Sequence, residues 1–236
     1  MNGTSWEKSR ALTPLKKDFL KEFFAIENRF FLTGGSALGI FYLDHRLSYD
    51  LDFFTVNKDV DWKHLESNLH VVCRKIDSRM EPITKSPSFQ RFQLTRNKEH
   101  EIIDFVIEWV EQINPQKNVI DGMQVDTLEE IGTNKICTLL GRAEIKDVID
   151  LYFLSKNGFD IIAHIDMAMK KDGGLDSATL SYIISDIKIK ELPDYLLKTV
   201  SLDELNTFLS KLKSGLADIA FPTNYVKMPE TLLRNQ

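Results

Sequence analysis

The sequence predicts an α+β protein, in which a small mixed β-sheet is followed by a C-terminal helical domain. In the N-terminal half, short apolar runs typical of strands alternate with amphipathic segments of helical period. In the C-terminal half, from about Leu128, helical patterns follow one another almost without interruption. Between the halves, Asn114-Pro115 and Asp121-Gly122 supply turn-forming pairs. We therefore predict two domains, residues 1–125 and 126–236.

The elements of the N-terminal half alternate between the two periods. Apolar residues at helical spacing predict helices over 12–28 and 62–76, and Phe30–Thr33 predicts a short buried strand. Aromatic and β-branched runs predict further strands, and a turn-like segment at 97–100 makes the last two a hairpin. These strands span 49–56, 89–94 and 102–110.

Six helices are predicted in the C-terminal half, and glycines mark several of their ends. Gly158 and Gly173-Gly174 stand at helix breaks, and Gly141 makes a further break possible. The predicted helices span 128–141, 145–156, 160–170, 176–186, 193–199 and 202–213.

Composition excludes several classes of protein. With 236 residues, 43% hydrophobic and 28% charged, the chain suits a globular fold with a sizeable core. Its net charge of −5 argues against coating nucleic acid through a bulk positive field. No apolar run approaches the about 20 residues that cross a bilayer, and no signal peptide is visible, so a cytoplasmic location without membrane attachment is the expectation. Cys73 and Cys137 show no zinc spacing and are expected to be buried small hydrophobes.

The first candidate motif is Gly34-Gly35-Ser36, which follows the strand Phe30–Thr33 and opens a helix. Backbone N–H groups at such a turn form an anion site that the helix dipole reinforces. Ser36 is expected to cap the helix and to offer its hydroxyl to a phosphate. Any side chain at Gly34 or Gly35 would obstruct a triphosphate. Alone, the motif could equally be a plain turn.

The second candidate motif is a pair of acids, Asp50 and Asp52, on one face of a strand about 7 Å apart. Like charges this close repel unless a cation compensates them, so they predict a divalent metal site. A solvated edge strand is the alternative. Asp104, alone in an apolar strand, is the best third carboxylate, with Glu108 as the fallback. Glu101 is expected to be a surface residue at the strand end.

Two blocks of sequence carry a resemblance to a known family. Gly34-Gly35-Ser36-Ala37-Leu38 is followed by His45-Arg46-Leu47-Ser48-Tyr49-Asp50-Leu51-Asp52-Phe53-Phe54. A second block runs from Lys135 through Gly141-Arg142 to Lys146-Asp147-Val148-Ile149-Asp150-Leu151-Tyr152. Together they resemble the nucleotidyltransferases of the abortive-infection type E (AbiEii/AbiGii) toxin family, within the DNA polymerase β-like superfamily.

The resemblance implies a site and a reaction. Mg²⁺ or Mn²⁺ would lie on Asp50, Asp52 and Asp104, with a nucleoside triphosphate on the glycine turn. Lys135, Arg142 and Lys146 would contact the nucleotide, and Asp147 or Asp150 would act from the helical half, the choice between them being open. On an unbroken helix the three cations fall within about 40° of one another. The implied reaction transfers a nucleoside monophosphate to a macromolecular acceptor, a tRNA 3′ end, other RNA or protein, and the enzyme would be a toxin opposed by a cognate antitoxin protein.

Several alternatives stay open. His45 and Arg46 could cap a helix and pair with Asp44 or Asp50, and Asp150 could be a structural acid paired with Arg142 or Lys146. The chain could also be a small-molecule (antibiotic) nucleotidyltransferase or a non-catalytic nucleotide-binding module. Six cations could together form a basic groove for RNA: Arg74, Lys75, Arg79, Lys85, Arg91 and Arg96.

Overall fold

The computed structural model describes residues 6–222 and confirms the α+β class. Within that range, seven strands form one mixed sheet in the order β3-β4-β5-β2-β1-β7-β6. Strand β2 lies at the centre, antiparallel to β1 and parallel to β5. The strands are β1 (Phe31–Thr33), β2 (Asp50–Thr55), β3 (Arg79–Lys85), β4 (Phe89–Arg96), β5 (Glu99–Ile107), β6 (Asn118–Ile120) and β7 (Met123–Val125).

Helices precede the sheet, connect its strands and form the C-terminal half. The second of them continues as a π-helix over Leu38–Leu43. None of the described helices is both long and apolar enough to cross a membrane. The helices are α1 (Pro14–Phe24), α2 (Gly34–Ala37), α3 (Trp62–Lys75), α4 (Leu128–Gly141), α5 (Ile145–Lys156), α6 (Ile165–Lys171), α7 (Ser177–Asp186) and α8 (Leu202–Ala220).

An aromatic cluster fixes the central strands from one face of the sheet. Phe23 of α1 lies 4.6 Å from Phe53 and 5.5 Å from Phe105, measured between ring centroids, and Phe53 stacks on Phe105 at 5.3 Å. All three are fully buried. Because successive side chains of a strand point to opposite faces, burying Phe53 and Phe105 turns Asp52 and Asp104 to the other face.

Two expectations about the fold are wrong. Residues 193–199 form no helix: their backbone pairs with the segment around Arg46, through a bridge from Leu196 and hydrogen bonds from Leu47 to Tyr195 and from Leu197 to His45. Glu101 is buried rather than on the surface. Its carboxylate accepts a hydrogen bond from Thr13 Oγ1 at 2.6 Å and pairs with buried Lys16 at 3.2 Å.

The division into two domains remains a prediction. The last strand ends at Val125 and α4 begins at Leu128. Residues 223–236 of the second predicted domain lie outside the described residues.

Candidate active site

The glycine pair lies at the predicted turn from β1 into α2, and other side chains approach it closely. Gly34 has φ +69°, and a Cβ there would come within 2.5 Å of Asp52 Oδ2. A Cβ at Gly35 would come equally close to Arg46 Nη2. Both positions therefore exclude larger residues because an acid and an arginine pack directly against the backbone.

Ser36 is placed differently from the expectation. Helix α2 begins at Gly34, so Ser36 does not cap it. Its side chain is buried and its hydroxyl donates to the backbone carbonyl of Asp50, and it is not among the residues that line the adjacent cavity. Ser48 lines the cavity instead, and its hydroxyl donates to Asp50 Oδ1 at 2.9 Å. Ser36 thus supports the acid strand, and this arrangement does not favour a phosphate contact from it.

Three carboxylates converge beside the glycine turn. Asp50, Asp52 and Asp104 each offer one oxygen, and these atoms all lie within 4.8 Å of one another. The parallel pairing of β2 and β5 causes this, since Asp52 and Asp104 are direct register partners. Glu108, the fallback, lies beyond the end of β5 and lines the cavity, where its Oε1 accepts from the Val110 N–H at 2.9 Å.

The acidic triad suits a divalent cation. Desolvation, together with the negative charges of Asp50 and Asp104, raises the pKa of Asp52 to about 7. Among the described residues, neither Asp50 nor Asp52 pairs with a cationic side chain, whereas Asp104 pairs with Arg91. Three carboxylate oxygens are the hard donors that Mg²⁺ or Mn²⁺ prefers. The residues present therefore fit the metal that the resemblance implies.

Lys135 supplies positive charge from the wall opposite the triad. It projects from α4, is 6% exposed, and its Nζ lies 3.0 Å from Asp147 Oδ1 and 2.8 Å from Asp150 Oδ2. Burial opposes its charge, but the two aspartates prevail and raise its pKa. Asp147 also accepts from Arg142 Nε at 2.9 Å. Helix α4 ends at Gly141 and α5 begins at Ile145, so the predicted break is confirmed.

Asp150 is buried behind the cavity wall, and its partners differ from the expected Arg142 and Lys146. It is fully buried, its Oδ1 lies 2.7 Å from His45 Nε2, and Arg46 donates to both its oxygens at 2.6 and 2.7 Å. Despite burial, Lys135 and Arg46 hold its pKa well below the usual range. Neither Asp147 nor Asp150 lines the cavity. Both acids orient cations that do line it, and His45 and Arg46 do not pair with Asp44 or Asp50.

These groups surround one cavity of about 390 Å³, a volume within the usual range for small-molecule sites. Lys146 also lines it, half-exposed and paired with Glu144 at 2.8 Å. On α4, Lys135 shares the cavity wall with three residues that sequence analysis did not identify, although helical spacing around Lys135 could have indicated them. These are Ile131, Asn134 and Thr138; Thr33, Ser48 and Phe54 were missed on the sheet side.

The six cations of the predicted basic groove do not lie together. Arg91 faces the cavity, whereas Arg96, five residues on and therefore on the opposite face of β4, pairs with Asp18 of α1. Lys75 pairs with Glu22 and Lys85 with Glu66.

The glycine turn, the carboxylate triad and the cations Lys135, Arg142 and Lys146 around one cavity are the arrangement expected of a nucleotidyltransferase. Comparisons with known proteins agree. A family model described as "Nucleotidyl transferase AbiEii toxin, Type IV TA system" matches residues 18–226. The chain therefore belongs to this AbiEii family of nucleotidyltransferase enzymes.

Individual relatives extend the comparison. An uncharacterized protein from Aquifex aeolicus (strain VF5), aq_aa25, is 32% identical over 152 residues, which cover 63% of this chain and 69% of that protein. The fold is similar to that of JHP933 from Helicobacter pylori (TM-score 0.54, 23% identity, 87% of this chain and 92% of that one). It is also similar to MenT4, a nucleotidyltransferase toxin from Mycobacterium tuberculosis H37Rv (TM-score 0.53, 14% identity, 86% and 82%).

Proposed function

We propose that this enzyme transfers a nucleoside monophosphate from a nucleoside triphosphate to a macromolecular acceptor, a tRNA 3′ end, another RNA or a protein, in a reaction that depends on Mg²⁺ or Mn²⁺. The observation that carries the proposal is the meeting of the triad and the glycine turn with Lys135, Arg142 and Lys146 around one cavity.

The charges of the cavity orient the donor. The triphosphate lies between the turn at Gly34 and Gly35 and the side chains of Lys135 and Arg142, all four of which line the cavity. The nucleoside extends along α4 towards Phe54, Ile131 and Asn134, where apolar surface and an amide replace charge. Glu108 would repel a phosphate, so the anionic part of the donor stays at the other end.

The reaction is an in-line displacement. The acceptor oxygen attacks the α-phosphorus, the bond to the β-phosphate oxygen breaks, and pyrophosphate leaves. Asp50, Asp52 and Asp104 would hold the divalent cation, which lowers the pKa of the acceptor hydroxyl and neutralises charge on the leaving group. Lys135, Arg142 and Lys146 stabilise the pyrophosphate. Asp104 either holds the cation, in which case the proton of the acceptor hydroxyl passes to water, or takes that proton itself.

Two observations bear on the acceptor and on the biological role. Positive charge from Arg91, Arg142 and Lys146 on the cavity wall favours an anionic acceptor over an aminated small molecule. Family membership supports action as the toxin of a toxin–antitoxin or phage-defence system, with a cognate antitoxin as protein partner.

The acceptor can be found by labelling. The protein is incubated with each α-phosphate-labelled triphosphate and Mg²⁺, in the presence of total RNA, protein lysate or small-molecule extract. We expect label in one macromolecular fraction, and none with the Asp50→Asn variant. Label confined to the small-molecule fraction would overturn the macromolecular acceptor, and label in no fraction would overturn the transfer itself.

A further inference from the structure

Arg91 neutralises one member of the acidic triad. It stands on β4 directly opposite Asp104 of β5, and its Nε and Nη2 donate to the two carboxylate oxygens at 2.8 and 2.6 Å. This bidentate pair engages both oxygens of a carboxylate that also lies within 4.8 Å of Asp50 and Asp52. A guanidinium and a divalent cation on the same carboxylate repel each other.

The Arg91 side chain is free to leave this position. It is 41% exposed, whereas the Asp104 side chain is 6% exposed. The guanidinium carbon of Arg91 also lies over the Phe89 ring, 5.5 Å from its centroid. Within the described residues, the Arg91 side chain makes no hydrogen bond other than the two to Asp104. Arg46 differs, because it is buried and bonded to Asp150 and to the Leu47 carbonyl.

We propose that Arg91 is an exchangeable counter-ion of the metal site, which pairs with Asp104 in the empty enzyme and turns to the anionic substrate when a divalent cation takes Asp104. The inference rests on the proposed function, since it presumes that the triad holds the cation. Because Arg91 lines the cavity, its guanidinium can reach a phosphate without any movement of the backbone.

Loss of the Arg91 charge should have opposite effects on the binding of the two ligands. Without the Arg91 charge, the empty protein should bind a divalent cation more tightly, because the competitor for Asp104 has gone. The same change should weaken binding of the triphosphate, because a positive partner has gone. If Arg91 served only to hold β4 against β5, its replacement would strengthen the binding of neither ligand.

The test is a titration of wild type and of Arg91→Gln with Mn²⁺ alone. Free Mn²⁺ is measured by its electron paramagnetic resonance signal. We expect Arg91→Gln to bind Mn²⁺ about tenfold more tightly, within the range of ordinary coupling between sites. Arg91→Lys, which keeps the charge but loses the fork, should lie between them. Arg96→Gln is the matched control, since Arg96 lies on the same strand and faces α1, and should leave Mn²⁺ binding unchanged.

The outcomes separate this inference from the proposed function. If Mn²⁺ binds to wild type, is lost in Asp50→Asn, and binds to Arg91→Gln no more tightly than to wild type, the exchange is refuted while the metal site stands. If Mn²⁺ binding to wild type is absent or insensitive to Asp50→Asn, the metal site itself is refuted. In a second titration, in Ca²⁺, a non-hydrolysable triphosphate should bind more weakly to Arg91→Gln than to Arg96→Gln. Equal affinity of the triphosphate for the two variants would refute the proposed contact between Arg91 and the substrate.

Discussion

Asp150 is predicted to hold the two halves of the site together, and its replacement by Asn should be costly. The side chain is fully buried and makes ion pairs with Arg46 at 2.6 Å and Lys135 at 2.8 Å, with His45 as a third partner. In Asp150→Asn, Lys135 retains Asp147 as an anionic partner, whereas Arg46 loses its carboxylate partner and keeps only neutral acceptors, the Asn amide oxygen and the Leu47 carbonyl. Leaving a buried charge without its partner typically costs about 3–5 kcal/mol.

The assay is urea denaturation of wild type and Asp150→Asn, with the free energy of unfolding extrapolated to water. For a chain of this size, 3–5 kcal/mol corresponds to a fall in Tm of roughly 6–20 °C. Glu66→Gln is the control: its pair with Lys85 is largely exposed, so its loss should cost less than about 1 kcal/mol.

The pKa of Asp150 sets the pH dependence of this cost. The pKa of Asp150 is lowered in the folded protein. The stability that its ion pairs contribute is therefore fully present above the ordinary pKa of a carboxyl and is lost as pH falls through the lowered pKa of the folded protein. The difference between wild type and Asp150→Asn should therefore be constant from about pH 5 to 8, where Asp is ionised in both states. A loss of less than about 1 kcal/mol, equal to that of the control, would refute the reasoning.

Three further predictions concern the glycine turn and its neighbours. Gly34→Ala should abolish nucleotide binding, measured by calorimetry, because the added Cβ clashes with Asp52. Gly122 also has a positive φ but has open space around it, so Gly122→Ala should lose only about 1–2 kcal/mol of stability and still bind the nucleotide. Equal nucleotide binding by the two variants would contradict the clash. Without metal, the stability of wild type should fall as pH rises from 5 towards 7, because the pKa of Asp52 in the folded state is raised to about 7. Asp52→Asn lacks this carboxyl, so it should become more stable relative to wild type between pH 5 and 8. A difference in the free energy of unfolding that does not change with pH would count against this prediction. Ser36→Ala should lose about 1 kcal/mol of stability with an unchanged KM for the triphosphate, and a raised KM would restore the phosphate role of Ser36.

The N-terminal site could be predicted from sequence because its residues are close along the chain. Alternation places Asp50 and Asp52 on one face of β2, and the apolar surroundings of Asp104 mark it as needing a partner. The register of β2 against β5, which brings Asp104 to Asp52, is a long-range fact that no local pattern contains.

The errors arose where contacts between distant segments override local pattern. Residues 193–199 carry apolar spacing, yet their backbone pairs with the segment at 45–47. Strand β3 was missed because its side chains are largely exposed and so lack apolar alternation. Glu101 was misplaced because its buried partner, Lys16, lies on α1, far away in sequence.

The reaction proposed for this enzyme transfers a nucleoside monophosphate to the acceptor and releases pyrophosphate. The most direct measurement compares triphosphate labelled at the α-phosphate with triphosphate labelled at the γ-phosphate, under the same conditions with Mg²⁺ and the identified acceptor. We expect the α-label to appear on the acceptor and the γ-label in pyrophosphate, and we expect neither product from Asp52→Asn. Transfer of the γ-label to the acceptor, or α-label transfer that survives in Asp52→Asn, would contradict this proposal.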